Sequence, residues 1–227
     1  LHSDLSNGVT NIDSVTKYNE YIAYAETLGM KAMGFSEHGS VLEWVHKKTK
    51  IESCGMKYIH AEEFYVTEQL YFEPDTTELR SSLTGMDEKQ VQEEIDKYIK
   101  ENRIQKRDNY HCVLIAKNYD GVIELNELSS RAFKRDGHFY YNPRISFEEL
   151  TATSNNIIIC TACIGGILAS GTKEIQEKFL QFLIQNRHRC FLEIQHHCDD
   201  MQIKYNQYLA FTSKKYDIPL IKGTDTQ

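Results

Sequence analysis

The segment that decides the fold class is Asn156–Gln195, which reads NIIICTACIGGILASGTKEIQEKFLQFLIQNRHRCFLEIQ. It opens with an apolar run centred on Ile157–Ile159, continues through an amphipathic stretch from Thr172 to Arg187, and closes with a second apolar run from Cys190 to Gln195. A short apolar run indicates a buried strand, and the stretch between the runs has the period of a helix. The segment therefore predicts a strand–helix–strand unit, the repeating element of α/β folds.

The same alternation extends over the rest of the chain and is typical of an α/β fold with a parallel sheet. The polar segment Asp87–Asn109 is the exception and is predicted to be a surface helical insertion rather than a domain. Residues 1–227 are otherwise predicted to form a single domain, since α/β barrels often exceed 200 residues as one unit. Further strands are predicted at 31–35, 57–66, 110–116 and 219–222, and further helices at 13–28, 41–53, 119–133 and 201–216.

Composition limits the class of protein. Hydrophobic residues make up 41% and charged residues 26%, which is typical of a globular domain. No apolar run approaches the roughly 18 residues that a membrane span needs, so no membrane partner is predicted. The net charge of −7 differs from the basic surfaces that coat nucleic acid, and it suits a site crowded with carboxylates around metal ions. The six irregularly spaced cysteines predict reduced thiols and a cytoplasmic location.

Side chains that can bind metal ions recur where the predicted strands begin or end. In an α/β barrel the carboxyl ends of the strands converge on one rim, so residues distant in sequence can meet there. Histidine, cysteine, aspartate and glutamate are the ligands of zinc and similar ions. A lone histidine or cysteine at such a position is more often structural, and it is the ordered series that predicts a metal site. The series is His2, Asp4, Glu37, His38, Glu62, Glu63, His111, Cys163 and Asp225.

These stretches resemble the motifs of the polymerase and histidinol phosphatase (PHP) family over essentially the whole chain. His2–Ser6 resembles the second half of the opening His-x-His motif, and Phe35–Gly39 resembles the Thr-Asp-His-Gly motif. Gly223–Gln227 resembles the closing Asp-x-His motif. The resemblance implies a distorted seven-stranded (β/α) barrel of the PHP type that holds divalent metal ions: zinc, manganese or magnesium.

Three other stretches resemble the branch of this family found in bacterial replicative DNA polymerase α subunits. Glu63–Val66 resembles its glutamate followed by Phe-Tyr-Val, so Glu63 rather than Glu62 is the implied ligand. His111–Asn118 resembles a stretch that ends in Ala-Lys-Asn, and Cys163–Gly166 resembles its Cys-Leu-Gly-Gly. The chain is therefore expected to be a fragment or the N-terminal domain of a longer polymerase.

The resemblance also implies which residues hold each metal, and no side chain is assigned as the catalytic nucleophile, which is expected to be a metal-bound water. Departures from the family pattern weaken the third site: Glu37 stands where aspartate is usual, Gln227 replaces a histidine, and Asp4 or Asp13 would have to replace a missing acid. Two metals are therefore predicted, with Asp4, Glu37 and Gln227 as weaker candidates. The implied sets are His2, Glu63 and Asp225 for one metal, Glu63, His111 and Cys163 for a second, and His38 for a third.

Three functions fit this reading. The first is a metal-dependent phosphoesterase domain of a replicative polymerase α subunit, with a 3′–5′ exonuclease (proofreading) role. The second is a catalytically degenerate scaffold that stabilises the polymerase and binds partners, and the third is a free-standing phosphatase like the histidinol phosphatases. The predicted partners are DNA, through the parent polymerase, and other replication subunits.

Overall fold

The computed structural model describes residues 1–8 and 12–224. It contains nine strands: β1 (Ala32–Phe35), β2 (Lys57–Thr67), β3 (Tyr71–Phe72), β4 (Ile104–Gln105), β5 (Tyr110–Ala116), β6 (Arg144–Ser146), β7 (Ile157–Cys160), β8 (Cys190–Gln195) and β9 (Leu220–Gly223) within these ranges. The α-helices of the same ranges are α1 (Tyr18–Thr27), α2 (Trp44–Ser53), α3 (Thr77–Ser82), α4 (Glu88–Asn102), α5 (Tyr119–Ala132), α6 (Phe147–Thr151), α7 (Ile167–Ser170), α8 (Lys173–Gln185) and α9 (Asp200–Tyr216).

Seven of the strands form one sheet in the order β1-β2-β5-β7-β8-β9, with β6 paired to β2. Four neighbouring pairs are parallel: β1 with β2, β2 with β6, β7 with β8, and β8 with β9. Strand β5 runs antiparallel to both of its neighbours, β2 and β7. The expectation of a parallel sheet is therefore wrong at β5, and the protein has a mixed α/β fold.

The direction of β5 follows from the segment that connects it to β2. The Asp108 carboxylate accepts hydrogen bonds from the Thr67 hydroxyl at 2.9 Å and from the Glu68 amide at 2.7 Å. Val66 near the end of β2 pairs with Tyr110 at the start of β5. The chain thus returns to the end of the sheet that it left, so β5 must run back along β2. Apolar periodicity cannot show this, because a strand pattern is the same in both directions.

The sheet curls into a half-barrel, with β1 and β9 as its end strands. Within residues 1–8 and 12–224 these two strands do not pair with each other. The α/β class and the seven strands of the sheet agree with the sequence-based expectation. Closure of the sheet into a complete barrel stays a prediction.

Polar side chains fix where several helices begin. Asn118 accepts a hydrogen bond from the Gly121 amide at 2.9 Å at the start of α5, and Asp199 accepts one from the Gln202 amide at 2.9 Å at the start of α9. Such caps satisfy amides that a helix leaves unpaired and contribute about 0.5–2 kcal/mol each. Among the described residues, none of the helices combines the length and the apolar character needed for a membrane crossing.

The predicted first helix begins later than expected, at Tyr18 instead of Asp13. The Asn7 side-chain oxygen accepts hydrogen bonds from the Asp13 amide at 2.7 Å and from the Ser14 amide at 3.0 Å. Those amides are consequently held in a loop rather than in a first helical turn. The loop brings Asp13 towards the rim of the half-barrel.

The polar insertion contains α3 and α4 between the short strands β3 and β4. Asp87 caps α4 through hydrogen bonds from two amides, and Ile95 is the one buried residue of this helix. The helix ends at Asn102 rather than continuing towards Asn109. Its extension is excluded because Ile104 and Gln105 pair as β4 with Tyr71–Phe72 of β3.

The main core lies where β2, β5, β7 and β8 meet the helices. Phe64, Leu114 and Ile159 from the sheet and Leu125 and Phe179 from the helices are almost fully buried there. Burying a side chain of this size stabilises the fold by about 1.5–3 kcal/mol. Successive residues of a strand point to opposite faces, so the placement of Phe64 in the core turns its neighbours on β2 to the other face. That face carries the candidate site.

Candidate metal centre

Five parts of the chain bring potential ligands to one rim of the half-barrel. His2 lies near the start of the chain, His38 follows β1, Glu63 lies within β2, His111 lies near the start of β5, and Cys163 follows β7. His111 reaches this rim because β5 is antiparallel, which places its start beside the ends of its neighbours. The sequence-based expectation that these residues meet at one rim therefore agrees with the structure.

The first ligand group consists of His2, His38 and Glu63. The two imidazole rings stack with their centroids 4.4 Å apart and an interplanar angle of 11°. Glu63 Oε2 lies 3.3 Å from His2 Nε2, and Glu63 Oε1 lies 3.9 Å from His38 Nδ1. One ligand atom from each side chain lies within 4.8 Å of the other two. This spacing is close to that of ligands placed about 2 Å from one cation.

The second group consists of Glu63, His111 and Cys163. Glu63 Oε1 lies 2.6 Å from His111 Nδ1, and Cys163 Sγ lies 3.5 Å from the same nitrogen. The three ligand atoms again lie within 4.8 Å of one another. Glu63 belongs to both groups, with Oε2 towards His2 and Oε1 towards His111. A mixed imidazole, carboxylate and thiolate set suits zinc, since thiolate favours softer ions than magnesium.

A tight turn after β7 presents the Cys163 thiol. The Gly165 amide donates a hydrogen bond to Cys163 Sγ at 3.3 Å, and the His111 amide donates one to the Gly165 carbonyl at 3.0 Å. A Cβ atom at Gly166 would lie 2.3 Å from the Thr161 carbonyl oxygen, so only glycine fits. Glycine at position 166 is therefore needed to form the turn that holds the thiol against the histidine.

Burial and hydrogen bonding set the charges of these groups. Burial opposes ionisation of Glu63, but hydrogen bonds with His111 and His2 hold its pKa well below the ordinary value. Burial likewise lowers the pKa of His111, and its hydrogen bonds with Cys163 and Glu63 outweigh this effect and raise the pKa to about 10. Burial lowers the pKa of His38 and keeps that ring neutral. A cation that binds His111 must therefore displace a proton.

Comparison with known proteins identifies the family. The profile of the PHP domain matches residues 1–197. This chain belongs to the PHP domain family. It is 29% identical over 230 residues to the DNA polymerase III subunit alpha of Aquifex aeolicus, an alignment that covers 99% of this chain and 18% of that protein. The corresponding protein of Borreliella burgdorferi is 25% identical over 231 residues, covering 100% of this chain and 17% of the relative.

The PHP domain thus spans less than a fifth of the length of these curated relatives. A solved structure from Bifidobacterium adolescentis, provisionally named a metal-dependent phosphoesterase, superposes with a TM-score of 0.50 and 13% sequence identity. The superposition covers 99% of this chain and 85% of that one, and at this identity it supports the fold alone. The resemblance to the polymerase branch of the family is confirmed.

Two adjacent glutamates of the PHP domain lie in opposite environments. Glu63 faces the histidines, whereas Glu62 faces the helices on the other side of β2, near Ser129. Neither Glu62 oxygen has a hydrogen-bond partner among the described residues. Burial raises the pKa of Glu62 well above its ordinary value, against an opposing contribution from the Ser129 hydroxyl. Burial therefore favours the neutral form of Glu62, and of the two glutamates only Glu63 lies with the ligand groups.

A buried ion pair supports the first ligand group from behind. Glu37 and Lys47 are 1% and 2% exposed, and Lys47 Nζ lies 2.6 Å from Glu37 Oε1. Glu37 also accepts hydrogen bonds from the hydroxyls of Ser3 and Ser6, both at 2.5 Å. Burial lowers the pKa of Lys47 and opposes ionisation of Glu37, but Lys47 and the two hydroxyls hold the pKa of Glu37 below its ordinary value. The pair therefore stays ionised.

The Ser6 hydroxyl connects this ion pair to His2 and His38 through hydrogen bonds. Because Ser6 donates its proton to Glu37, its oxygen is left to accept hydrogen bonds, from the His38 amide at 3.1 Å and from His2 Nδ1 at 3.3 Å. Because Ser6 Oγ accepts from His2 Nδ1, the proton on Nδ1 is retained when Nε2, which faces Glu63, gives up its own proton to bind a cation. Outer hydrogen bonds of this kind fix the tautomer and orientation of metal-binding histidines.

The remaining sequence-based candidates lie elsewhere. Both Glu37 oxygens are occupied by Lys47 and the serine hydroxyls, so the structure gives Glu37 a supporting position rather than one in a ligand group. Asp4 lies near Tyr18 and Lys47, and it belongs to neither ligand group. Asp225 and Gln227 lie outside the described residues.

Two residues beside the site, Asp13 and Tyr65, were assigned little or no role from the sequence. Asp13 Oδ2 lies 3.7 Å from His38 Nε2, because the Asn7 loop displaces it from the expected helix. The Tyr65 ring stacks on His38 with centroids 5.8 Å apart and meets the His111 ring edge-on at 5.2 Å. Tyr65 could have been found from the two-residue period of β2, which places it on the same face as Glu63.

Proposed function

We propose that this chain is the metal-dependent phosphoesterase domain of a DNA polymerase III alpha-type protein and that it holds two divalent cations. The position of Glu63 carries the proposal. Its two oxygens face separate groups of potential ligands, and a carboxylate that serves both is the arrangement of two-metal phosphoesterase sites.

The side chains that would hold the cations fit the task. His2, His38 and Glu63 would hold one cation, and Glu63, His111 and Cys163 would hold the other. His38 Nδ1 is buried without a hydrogen-bond partner among the described residues, which is the state expected of an atom reserved for a ligand. When bound, divalent cations supply an electrophile for phosphoryl oxygens and activate water as a nucleophile.

The chain's own residues would orient and enclose a phosphodiester at this rim. Asp13 next to His38 Nε2 favours a proton there, which leaves the Nδ1 lone pair directed at Glu63. Tyr65 covers one side of the His38 ring and limits access of water to it. The relatives are DNA polymerase subunits, so we propose that the phosphodiester belongs to a DNA strand and that cleavage proceeds from its 3′ end. DNA and other replication subunits are the proposed partners, within the cytoplasm.

The decisive experiment measures metal content and hydrolysis together. Elemental analysis of the purified chain should give two zinc or manganese ions per molecule. A single-stranded oligonucleotide labelled at its 5′ end should then shorten stepwise from its 3′ end, and a chelator should stop the reaction. A matched Glu63→Gln variant keeps the size of the side chain and should lose both metal and hydrolysis.

The same experiment separates the scaffold function from the enzymatic one. The contacts of Glu63 with His111 and His2 satisfy its charge without a cation, and this favours the scaffold as the second candidate. A chain that binds no metal and cleaves no DNA would refute the phosphoesterase proposal and support the scaffold. A chain that binds two metals without cleaving DNA would refute the exonuclease role alone.

A further inference from the structure

A surface of stacked arginines and aromatic rings lies beside the metal centre. Arg103 Cζ lies 3.9 Å from the centroid of the Tyr71 ring, and Arg135 Cζ lies 4.1 Å from that of Phe139. Arg107 Cζ lies 6.0 Å from the Tyr140 ring centroid. We call this the arginine–aromatic surface, and it comprises Tyr71, Arg103, Arg107, Arg135, Phe139, Tyr140 and Tyr141.

Buried hydrogen bonds join the two segments of this surface into one unit. The Arg144 guanidinium is fully buried and donates to the carbonyls of Lys106 at 2.7 Å and of Gly137 at 3.0 Å. Gln105 Nε2 also donates to the Gly137 carbonyl, at 2.7 Å. A Cβ atom at Gly137 would lie 2.5 Å from the Tyr71 ring, so this ring packs directly on the second segment. The arginines and rings therefore keep fixed relative positions.

Tyr141 projects from this surface in a strained conformation. Its side chain is 84% exposed, and its backbone φ of +58° lies in the left-handed region that disfavours a tyrosine. The Tyr140 amide donates to the Asn142 carbonyl at 3.0 Å and holds the turn, and the Tyr140 and Tyr141 rings meet edge-on at 4.8 Å. An exposed aromatic ring gains little from folding in this position. Strain of this kind is common at ligand-binding sites.

The turn that carries Tyr141 borders the metal centre. A Cβ atom at Gly39, the residue after His38, would lie 2.7 Å from Pro143 Cγ and 3.2 Å from the Tyr65 ring. Pro143 therefore packs beside the rim, and Tyr141 lies only two residues before it. With consecutive Cα atoms about 3.8 Å apart, the Cα of Tyr141 lies within about 8 Å of that of Pro143. A bound strand could thus pass directly from this surface to the rim.

The surface is cationic although the chain carries a net charge of −7. Residues 103–107 and 134–141 contain five lysines or arginines and one acidic residue. Lys106 is paired with Glu68 at 3.0 Å, and Asp136 is bound to His138 at 2.6 Å. Within the described ranges, Arg103, Arg107 and Arg135 form no ion pair. Their charge is available to an anionic ligand.

We propose that the arginine–aromatic surface binds a single-stranded nucleic acid and leads it to the metal centre. The proposal rests on the phosphoesterase function proposed above, whose substrate strand it positions. The three arginines offer cationic groups to phosphates, and the exposed Tyr141 ring offers a face on which an unpaired base stacks. Both contributions are typical of proteins that bind single strands. A duplex does not fit this chemistry, because its bases already stack on each other.

Binding is measured without metal, so that it does not depend on hydrolysis. The anisotropy of a labelled oligothymidylate about 12 nucleotides long is titrated with the chain in a chelator at low salt. Oligouridylate of the same length separates DNA from RNA, and polyglutamate tests whether an acidic polypeptide suffices. Arg107→Ala should reduce the slope of log K against log salt by about 0.7, the value for one phosphate contact on a single strand.

Tyr141→Gly is the sharpest variant, because binding and stability should change in different directions. Glycine adopts a positive φ freely, so the thermal midpoint should stay unchanged or rise. Loss of the ring should weaken oligothymidylate binding by about 5- to 150-fold, the effect of removing one stacked aromatic residue. Tyr141→Phe should bind like the wild type. Tyr119→Ala is the matched control, since Tyr119 is 74% exposed but lies outside the surface, and it should leave binding unchanged.

Each outcome decides one of the two proposals. Oligonucleotide binding that falls in Tyr141→Gly while the chain binds no metal and shows no nuclease activity supports this surface and refutes the phosphoesterase function. Nuclease activity that Tyr141→Gly leaves unchanged overturns the surface and retains the function. The surface is also overturned if the wild-type chain fails to bind at about 100 μM, the weak end of non-specific binding. The surface is likewise overturned if polyglutamate binds and if Tyr141→Gly weakens that binding as much as it weakens the binding of oligothymidylate.

Discussion

Replacement of Lys47 by methionine should destabilise the domain far more than the same change at its neighbour. Lys47 and Lys48 lie side by side on α2, and each places Nζ 2.6 Å from a glutamate oxygen. The Lys47–Glu37 pair is about 2% exposed, whereas Lys48 and Glu52 are 45% and 48% exposed. Methionine keeps much of the apolar stem and removes the charge. The two variants therefore differ mainly in the burial of the carboxylate that is left unpaired.

The structure sets the expected magnitudes. Loss of one partner of a buried ion pair costs about 3–5 kcal/mol, because the other charge stays buried without compensation. An exposed pair one helical turn apart contributes about 0.3–0.5 kcal/mol. At about 2.1 cal/mol/K per residue, the unfolding entropy of 227 residues is about 0.5 kcal/mol/K. Lys47→Met should thus lower Tm by about 6–10 °C, and Lys48→Met by about 1 °C.

Calorimetry and metal titration test the two consequences together. Lys47→Met should also weaken metal binding by about 10- to 100-fold, because Glu37 and Ser6 no longer hold His2 in position. The double variant Glu37→Gln with Lys47→Met removes the unpaired charge. It should recover at least half of the stability that Lys47→Met alone loses. If Lys47→Met and Lys48→Met shift Tm equally, the buried pair does not support the site and the reasoning fails.

Two further predictions concern single carboxylates. Glu63→Gln should weaken both metal sites in a calorimetric titration, whereas Glu62→Gln should leave them unchanged, since Glu62 faces away from both ligand groups and its burial favours the neutral form. A loss at one site alone would show that Glu63 is not shared. For Glu149, burial opposes ionisation, but hydrogen bonds with His138 and other donors hold the pKa at about 2, below its ordinary value of 4.5. A lowered pKa stabilises the fold fully above pH 4.5, and this contribution is lost as the pH falls towards 2. The pKa of His138 is raised, first by its hydrogen bond with Glu149. Protonated His138 therefore stabilises the fold fully below pH 6.5, and this stabilisation is lost as the pH rises further. From pH 5.5 to 3, urea unfolding should therefore show a loss for the wild type about 2 kcal/mol larger than for Glu149→Gln, and equal losses would contradict this account.

Local pattern was sufficient for much of the fold. The predicted strands Tyr110–Ala116 and Cys190–Gln195 have the observed bounds, because each is a short apolar run between polar residues. The motif series also predicted that a set of potential ligands meets at one rim: His2, His38, Glu63, His111 and Cys163. Its order along the chain carries that information, and the family profile confirms the resemblance. Asp225 and Gln227 stay predictions.

The sequence by itself determined which residue types alternate, which runs are apolar, and which polar side chains interrupt them. Only the tertiary structure decided the direction of β5, the separate environments of Glu62 and Glu63, and the supporting position of Glu37. The reason is that these features depend on contacts between distant segments. The direction of β5 depends on Asp108, which closes the long connection from β2. The position of Glu37 depends on Lys47, which reaches it from α2. The environments of Glu62 and Glu63 depend on which helices pack against β2.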